Sequence, residues 1–299
     1  MDGILPLWKP KGMTSHDCVM KVRKLLHTKK VGHTGTLDPE VEGVLPICIG
    51  QATKIVPFLT DTKKTYIAEM FLGIATETED SYGEVIASKT VNHSFTEEEI
   101  DAALNSFRGK ITQIPPMYSA VKVNGKKLYE YARQHIDVER PKRQVEIYEL
   151  KKLPNKQPSN QVFRLKIVCS KGTYIRTLCV DIGKKLGYPA HMSALERIQT
   201  GAFAKEDTVN FAELEKAATS DDAKFLLLPI VSGLQHLKTL EVDEKTKVRV
   251  RHGQKLPRPD SITSADPFKV MHGNELLAVY QVHPDHHNEI KPVRVFNEN

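Results

Sequence analysis

The sequence lacks the features that place a protein in a membrane or in an oxidising compartment. None of its apolar runs reaches the length of about 18 residues that a membrane span requires. Its four cysteines include no pair with C-x-x-C spacing. The opening residues, MDGILP, have no basic stretch followed by an apolar one, so we expect no secretory signal. These absences predict a cytoplasmic protein with reduced thiols.

Common catalytic signatures are missing as well. The sequence contains no G-x-x-x-x-G-K-[ST] phosphate loop and no H-E-x-x-H zinc motif. His33 and Asp38 offer ligand atoms, but no third histidine, cysteine or carboxylate stands at a supporting spacing. The HPDHH cluster at residues 283–287 is predicted to be a solvated turn. We therefore expect no metal site.

Positive charge is present in excess, and it is unevenly distributed. The net charge is +6 at neutral pH. Residues 109–186 carry 17 basic and 6 acidic side chains, whereas residues 65–108 carry 2 basic and 9 acidic ones. A concentrated basic block attracts a polyanion, most simply nucleic acid, although a solvated lysine-rich face has the same composition.

The stretch at residues 31–46, VGHTGTLDPEVEGVLP, has neither a helical nor a strand period. Its glycines have access to backbone angles closed to other residues: Gly32, Gly35 and Gly43. Pro39 favours an extended conformation at Asp38, so we predict a shaped loop that presents this carboxylate, with His33 close by. On these residues alone the loop fits a nucleophile, a metal ligand or a plain turn.

The remaining pattern predicts mixed strands and helices as far as residue 235. Strands are predicted at 3–8, 44–49, 64–72, 84–88, 144–150, 162–169 and 193–200, and helices after Thr14 or Ser15 and at 51–59, 97–107, 128–134, 173–186 and 211–218. The predicted cap of the helix at 97–107 is Ser94 or Thr96. Arg176 lies in the first turn of a helix, where a cation opposes the dipole, which indicates an acidic partner. After these elements, short alternating runs at 247–251 and 276–282 predict that residues 236–299 form a small, mostly β domain.

Six segments stand in an order that resembles one enzyme family. They are KPKGMTS at 9–15, GHTGTLDP at 32–39, KTY at 64–66, PMYSAVK at 116–122, KGTYIRTL at 171–178 and HMSALER at 191–197. Together they resemble the TruB family of tRNA pseudouridine synthases. The resemblance runs from residue 3 to about residue 230, and it is specific because several spaced motifs would have to coincide.

The resemblance implies that the protein isomerises uridine 55 in the T loop of tRNA to pseudouridine, without metal, ATP or redox cofactor. It implies that Asp38 is the nucleophile, attacking either C6 of uracil or C1′ of ribose. Arg176 then pairs with Asp38 and keeps the carboxylate ionised. The resemblance further implies that Tyr66 stacks on the uracil and removes a proton, and that Tyr174 and Leu195 line the uracil pocket. It also implies that His33 inserts into the T loop and that Lys9 and Lys54 contact phosphates. For Tyr66, Tyr174 and Leu195, core packing is the plain alternative.

The resemblance also implies the architecture. We expect a mixed α/β (α+β) catalytic domain at residues 1–235, built on an antiparallel-rich sheet flanked by helices and loops. An RNA-gripping insertion is expected at about 110–140, and a small β-rich, PUA-like RNA-binding domain at 236–299. We expect a monomer that binds the T arm of tRNA, needs no protein partner and contacts no membrane.

Three alternatives remain open at this point. The first is an RNA chaperone that folds tRNA, with isomerisation secondary or absent, although the combination of Asp38, Tyr66 and Arg176 argues against pure binding. The second is a guide-RNA-dependent, dyskerin-type enzyme, which shares these motifs; the absence of long lysine-rich tails favours the stand-alone form. The third is a metal-dependent hydrolase that uses His33 and Asp38.

Overall fold

A computed structural model describes residues 1–155, 157, 159–220 and 222–297 of the chain. Residues 298 and 299, the end of the expected C-terminal domain, lie outside the described residues. No helix in the described part of the chain is long and apolar enough to cross a membrane.

The order of elements follows the predicted alternation of strands and helices. The strands are β1 (Gly3–Lys9), β2 (Val31–His33), β3 (Glu42–Ile49), β4 (Lys64–Leu72), β5 (Ile74–Thr76), β6 (Val85–Ser88), β7 (Gly109–Gln113), β8 (Lys122–Val123), β9 (Lys126–Lys127), β10 (Arg143–Leu153), β11 (Val162–Cys169), β12 (Ala190–Thr200), β13 (Phe203–Ala204), β14 (Thr239–Glu241), β15 (Leu256–Pro257), β16 (Phe268–His272), β17 (Glu275–Val282) and β18 (Glu289–Val295). The α-helices are α1 (Ser15–Leu25), α2 (Val56–Thr60), α3 (Glu97–Asn105), α4 (Leu128–Arg133), α5 (Ile175–Lys185), α6 (Phe211–Thr219) and α7 (Glu244–Arg251). The predicted helix at 51–59 is divided into a 3-10 turn, Gly50–Ile55, followed by α2.

The large sheet has the strand order β1-β3-β12-β4-β11-β10-β7, with β2 also paired to β3 and β13 to β12. Its pairs are antiparallel except β3 with β12, so the expected antiparallel-rich α+β sheet is confirmed. β12 comes late in the chain, yet it lies between β3 and β4, which are close in sequence. The consequence is that the loop before β3, the start of β4 and the middle of β12 meet at one place.

The core of this sheet lies under α3 and α5. On β4 the alternate side chains Tyr66, Ala68, Met70 and Leu72 are buried, which is the period of two that the sequence predicts for one face of a strand. Burying such apolar faces is the main favourable term in folding, at about 25 cal/mol for each Å² removed from water.

Side-chain caps determine where two of these helices begin. Thr14 caps α1, accepting a hydrogen bond from the backbone N–H of Asp17, whose carboxylate bonds back to Thr14. Thr96 and Glu99 form the same capping box at the start of α3. Each cap stabilises its helix by about 1 kcal/mol, and both are among the caps predicted from sequence.

The expected small C-terminal β domain is present. Its five strands have the order β14-β16-β17-β18-β15 around a core that includes Tyr280 and Phe268. The strand predicted at 247–251 is wrong, because this run belongs to helix α7. Asp243 caps that helix by accepting from the N–H of Thr246. Of the helix only Val250 is buried, packed in the core of the small sheet, so the run contacts the sheet as a helix and pairs with none of the described strands.

Residues 114–134 form an excursion between β7 and β10, and we refer to them as the insertion. Asn124 and Gly125 both have positive φ, 50° and 83°, as a tight hairpin turn between β8 and β9 requires. Helix α4 follows, and its Leu128 and Ala132 are buried. The insertion therefore contains a paired hairpin and a helix with buried apolar side chains.

Candidate active site

A cavity of about 620 Å³ opens where β4, β12, the loop before β3, the start of α5 and the insertion come together. Its lining includes Asp38, Lys64, Tyr66, Asp80, Tyr118, Tyr129, Arg133, Tyr174, Arg176 and Arg197. A smaller cavity of about 110 Å³ adjoins it, and Asp38, Tyr66, Tyr174 and Arg176 line both.

Hydrogen bonds from Lys9 and Ser15 hold the loop that carries Asp38. The Ser15 hydroxyl accepts from the Leu37 N–H at 2.9 Å and donates to the Leu37 carbonyl at 3.2 Å. Lys9 Nζ donates to the carbonyls of Pro39 and Val41, at 2.9 and 2.7 Å. The Asp38 carbonyl accepts from the Val41 N–H at 3.1 Å. The loop is therefore shaped by its partners, and the Asp38 side chain, 44% exposed, projects into the cavity.

Two glycines are required by this shape. Gly35 has φ +71°, and its carbonyl accepts from Arg197 Nη2 at 2.8 Å. Gly43 has φ +137°, and a Cβ there would lie 2.3 Å from the Arg197 carbonyl oxygen. Gly32 has no such angle, so the freedom expected of the third glycine is not used.

Asp38 and Arg176 are in contact, although 138 positions separate them in sequence. Arg176 Nη2 lies 3.1 Å from Asp38 Oδ2, and the arginine side chain is only 7% exposed. The same guanidinium donates to the carbonyls of Thr78 and Tyr118, at 3.0 and 2.9 Å. The acidic partner that the first-turn position of Arg176 indicates is thus Asp38, and the arginine ties three loops together around it.

Tyr66 lies on the cavity wall and belongs to the core behind it. Burial is the main cause that raises the pKa of its phenol above the usual 10, against the lowering effect of the nearby Arg197 guanidinium. The phenol is therefore protonated at neutral pH. A role as a base requires the bound substrate to change this environment.

Two buried cations next to Tyr66 were not identified from sequence. Arg197 is 1% exposed and donates to the carbonyls of Val44 and Gly35. Lys64 is 5% exposed and donates to the carbonyls of Thr60 and Thr62. Burial, and next Arg197, lowers the pKa of Lys64 to about 8. The sequence feature that could have identified Lys64 is its spacing from Tyr66, because residues i and i+2 of a strand lie on the same face.

Tyr174 and Leu195 both line the smaller cavity. Tyr174 precedes α5 as its N-cap residue and lines both cavities. Leu195, on β12, lines the smaller one and is 9% exposed.

His33 lies on β2, opposite Ile47 of β3, and it is not among the residues that line the large cavity. Burial is the main cause that lowers its pKa, helped by Arg197 and His16, so the ring is uncharged at neutral pH. In the described part of the chain, its buried Nδ1 has no hydrogen-bond partner.

The structure contradicts the phosphate contact expected of Lys9, and that of Lys54 stays a prediction. Lys9 is 0% exposed, and its ammonium is occupied by three backbone carbonyls, those of Pro10, Pro39 and Val41. A phosphate therefore has no access to the ammonium of Lys9. Lys54 is half-buried, and its Nζ donates to the Val295 carbonyl at 2.7 Å and to Gln51, which joins the 3-10 turn Gly50–Ile55 to strand β18 of the small sheet.

No group of three or more potential His, Cys, Asp or Glu metal ligands occurs among the residues that the structure describes. The cavity brings a carboxylate beside a guanidinium, in a pocket that tyrosine side chains also line.

Residues 23–175 match the family model described as TruB family pseudouridylate synthase (N terminal domain), and residues 176–235 match that of the tRNA pseudouridylate synthase B C-terminal domain. A tRNA pseudouridine synthase B of Oceanobacillus iheyensis is 59% identical over 297 residues, covering 99% of this chain and 98% of the relative. That of Bacillus subtilis is 50% identical over 301 residues, covering 99% and 97%.

Solved structures give the same fold. A chain in the crystal structure of a Cbf5-Nop10-Gar1 complex superposes with a TM-score of 0.75 at 27% identity, covering 99% of this chain and 84% of that one. A chain in an H/ACA RNP bound to a substrate RNA containing 2'-deoxyuridine has a TM-score of 0.75 at 25% identity, covering 99% and 85%.

Proposed function

The chain belongs to the TruB family of pseudouridylate synthases, and from this membership we propose that it isomerises uridine 55 in the T loop of tRNA to pseudouridine. Relatives that match along nearly their whole length bear the name tRNA pseudouridine synthase B, which supports tRNA as the substrate. The observation that carries the proposal is the 3.1 Å contact of Asp38 with Arg176 inside the large cavity.

Asp38 acts as the nucleophile. Its carboxylate attacks uracil C6 or ribose C1′, and the N1–C1′ bond breaks. The detached base turns, a C5–C1′ bond forms, and the bond between Asp38 and the nucleotide breaks, which returns the free carboxylate. The C5 proton leaves, and N1 takes up a proton. Atoms and electrons balance without an oxidant, a nucleotide cofactor or a metal ion. Arg176 favours the ionised carboxylate and orients it through a guanidinium that is itself fixed by two backbone carbonyls.

The other cavity residues bind the flipped nucleotide. Tyr66 stacks on the uracil, with its hydroxyl protonated. Tyr174 and Leu195 close the pocket around the base. His33, uncharged, fills the space that the flipped base leaves in the T loop and offsets part of the unstacking cost of a few kcal/mol.

The insertion supplies the grip on RNA. Lys127 Nζ and the Arg133 guanidinium each lie 5.3 Å from the centre of the Tyr129 ring, at the mouth of the cavity. Aromatic rings flanked by cations bind single-stranded loops through stacking and phosphate contacts. Residues 236–299 act as a PUA-like RNA-binding domain, and the protein works in the cytoplasm as a monomer without a protein partner.

The test is a reaction of the purified protein with an unmodified T-arm stem-loop, without cofactor or guide RNA. We expect pseudouridine at the T-loop uridine, detected by mass spectrometry. Asp38→Asn is expected to lower turnover at least about a thousandfold while RNA affinity is kept, because only the nucleophile is removed.

The matched control is Asp101→Asn, at an exposed aspartate of α3 that pairs with Arg108. It is expected to match the wild type in both measurements. No product from the wild type would refute the function, an active Asp38→Asn would refute the nucleophile, and a requirement for guide RNA would establish the dyskerin-type alternative.

A further inference from the structure

Gln113 is the last residue of β7, immediately before the insertion, and its side chain is 1% exposed. Its carboxamide bonds to both polar backbone groups of a single residue. Gln113 Oε1 accepts from the Tyr174 N–H at 3.0 Å, and Gln113 Nε2 donates to the Tyr174 carbonyl at 3.2 Å. Gln113 does not line the large cavity, so it acts on other protein groups.

The residue that Gln113 holds is the start of α5. Tyr174 is the N-cap, with φ −95° and ψ 108°, and its own side chain makes no capping bond. The first N–H groups of a helix need partners from outside the helix. By fixing both sides of the Tyr174 backbone, Gln113 sets the direction in which α5 begins, two residues before Arg176.

The insertion itself contacts the same turn through Tyr118. The carbonyl of Tyr118, five residues beyond Gln113, accepts from Arg176 Nη2 at 2.9 Å. Arg176 also holds Asp38 at 3.1 Å. Any shift of the insertion is therefore passed to Arg176 directly through Tyr118 and indirectly through Gln113 and Tyr174.

We infer that Gln113 is a positioning residue that couples the placement of the RNA-gripping insertion to the alignment of Arg176 and Asp38. Its effect on turnover rests on the proposed function, whereas the coupling itself is a property of the free protein. A carboxamide suits this task because it presents a donor and an acceptor in a fixed plane, matching the N–H and the C=O of one residue.

The plain alternative is that Gln113 only satisfies two buried backbone groups. It would then contribute stability, and its loss would not separate turnover from RNA binding.

The experiment compares Gln113→Met with Gln144→Met in the full chain. Gln144 lies on the neighbouring strand β10, is exposed, and donates to Thr112 Oγ1 without touching α5. On the T-arm stem-loop we expect Gln113→Met to lower kcat about tenfold or more with KM changed less than about threefold, since small misplacements of a reacting group are costly in rate. Gln144→Met is expected to match the wild type.

A second variant, Gln113→Glu, keeps the shape of the side chain. Its ionised form accepts from the Tyr174 N–H but repels the carbonyl, whereas its protonated form restores the donor. The ratio of its kcat to that of the wild type should therefore rise as the pH falls. This pH-dependent rescue also decides the question if Gln113→Met folds poorly.

Hydrogen exchange of the free proteins gives a measure that needs no activity. Gln113→Met should speed exchange in both the insertion and the first turn of α5, and Gln144→Met in neither. The inference is overturned by unchanged kcat, by an effect on KM alone, by a flat pH ratio for Gln113→Glu, or by exchange that changes in only one segment. If the wild type makes no pseudouridine, the proposed function fails, and the exchange data still decide the coupling.

Discussion

Replacing Lys9 by Met is expected to destabilise the fold and not to weaken phosphate binding. The ammonium makes three bonds of 2.7–2.9 Å to backbone carbonyls, two of them in the loop that carries Asp38. Hydrogen bonds to a charged group contribute about 1.5–3 kcal/mol each. Burial of the charge, which lowers the pKa of Lys9, offsets part of this sum. Carbonyls left without a donor add a penalty, so we expect a net loss of about 3–5 kcal/mol.

The assay has two parts. Urea unfolding measures the loss of stability, and RNA affinity measured over a range of salt concentration counts phosphate contacts. A lost phosphate contact lowers the slope of log affinity against log salt by about one. For Lys9→Met, measured where the variant is folded, we expect an unchanged slope. Lys11→Met, at an exposed lysine two residues further along, is the control for stability. A loss below about 1 kcal/mol together with a reduced slope would refute the structural role.

Arg176→Lys keeps the positive charge but loses the forked guanidinium that reaches Asp38, Thr78 and Tyr118. We therefore expect kcat to fall about a hundredfold, with RNA affinity within about threefold of the wild type. A kcat equal to that of the wild type would contradict the role of the guanidinium. Lys64 titrates near pH 8 when folded and at its ordinary value, near 10.5, when unfolded, so between these values the unfolded chain binds more protons and stability rises with pH. The stability difference between the wild type and Lys64→Met, measured by urea unfolding, should therefore shift in favour of the wild type from pH 8 to pH 10, and a flat difference would contradict the lowered pKa.

Much of the fold follows from local sequence. The strand at Lys64–Leu72 was predicted with its full bounds, because its alternation matches burial on one face of a sheet. Capping threonines located the starts of α1 and α3. The strand predicted at 247–251 is wrong, because a five-residue alternation does not show whether a neighbouring strand is available for pairing. Asp243 instead caps a helix there.

The parts of the site that lie in continuous sequence motifs could be predicted. The contact of Asp38 with Arg176 was expected from the family resemblance and from a cation placed against a helix dipole. The roles of Lys9, Lys54 and Arg197 were not predictable, because whether a cation faces water or backbone carbonyls depends on strands distant in sequence. Arg197 reaches Gly35 across 162 positions.

The place of β12 in the sheet has a consequence for synthesis of the protein. β3 and β4 leave the ribosome early, yet they cannot pair with each other in the final sheet, because residues 190–200 must lie between them. Until then both strands have an unpaired edge, and the Gly35 carbonyl lacks its donor from Arg197. Closing such long-range pairings is slow, and exposed edges invite association with other chains. The pocket is therefore assembled only when about two thirds of the chain has been made.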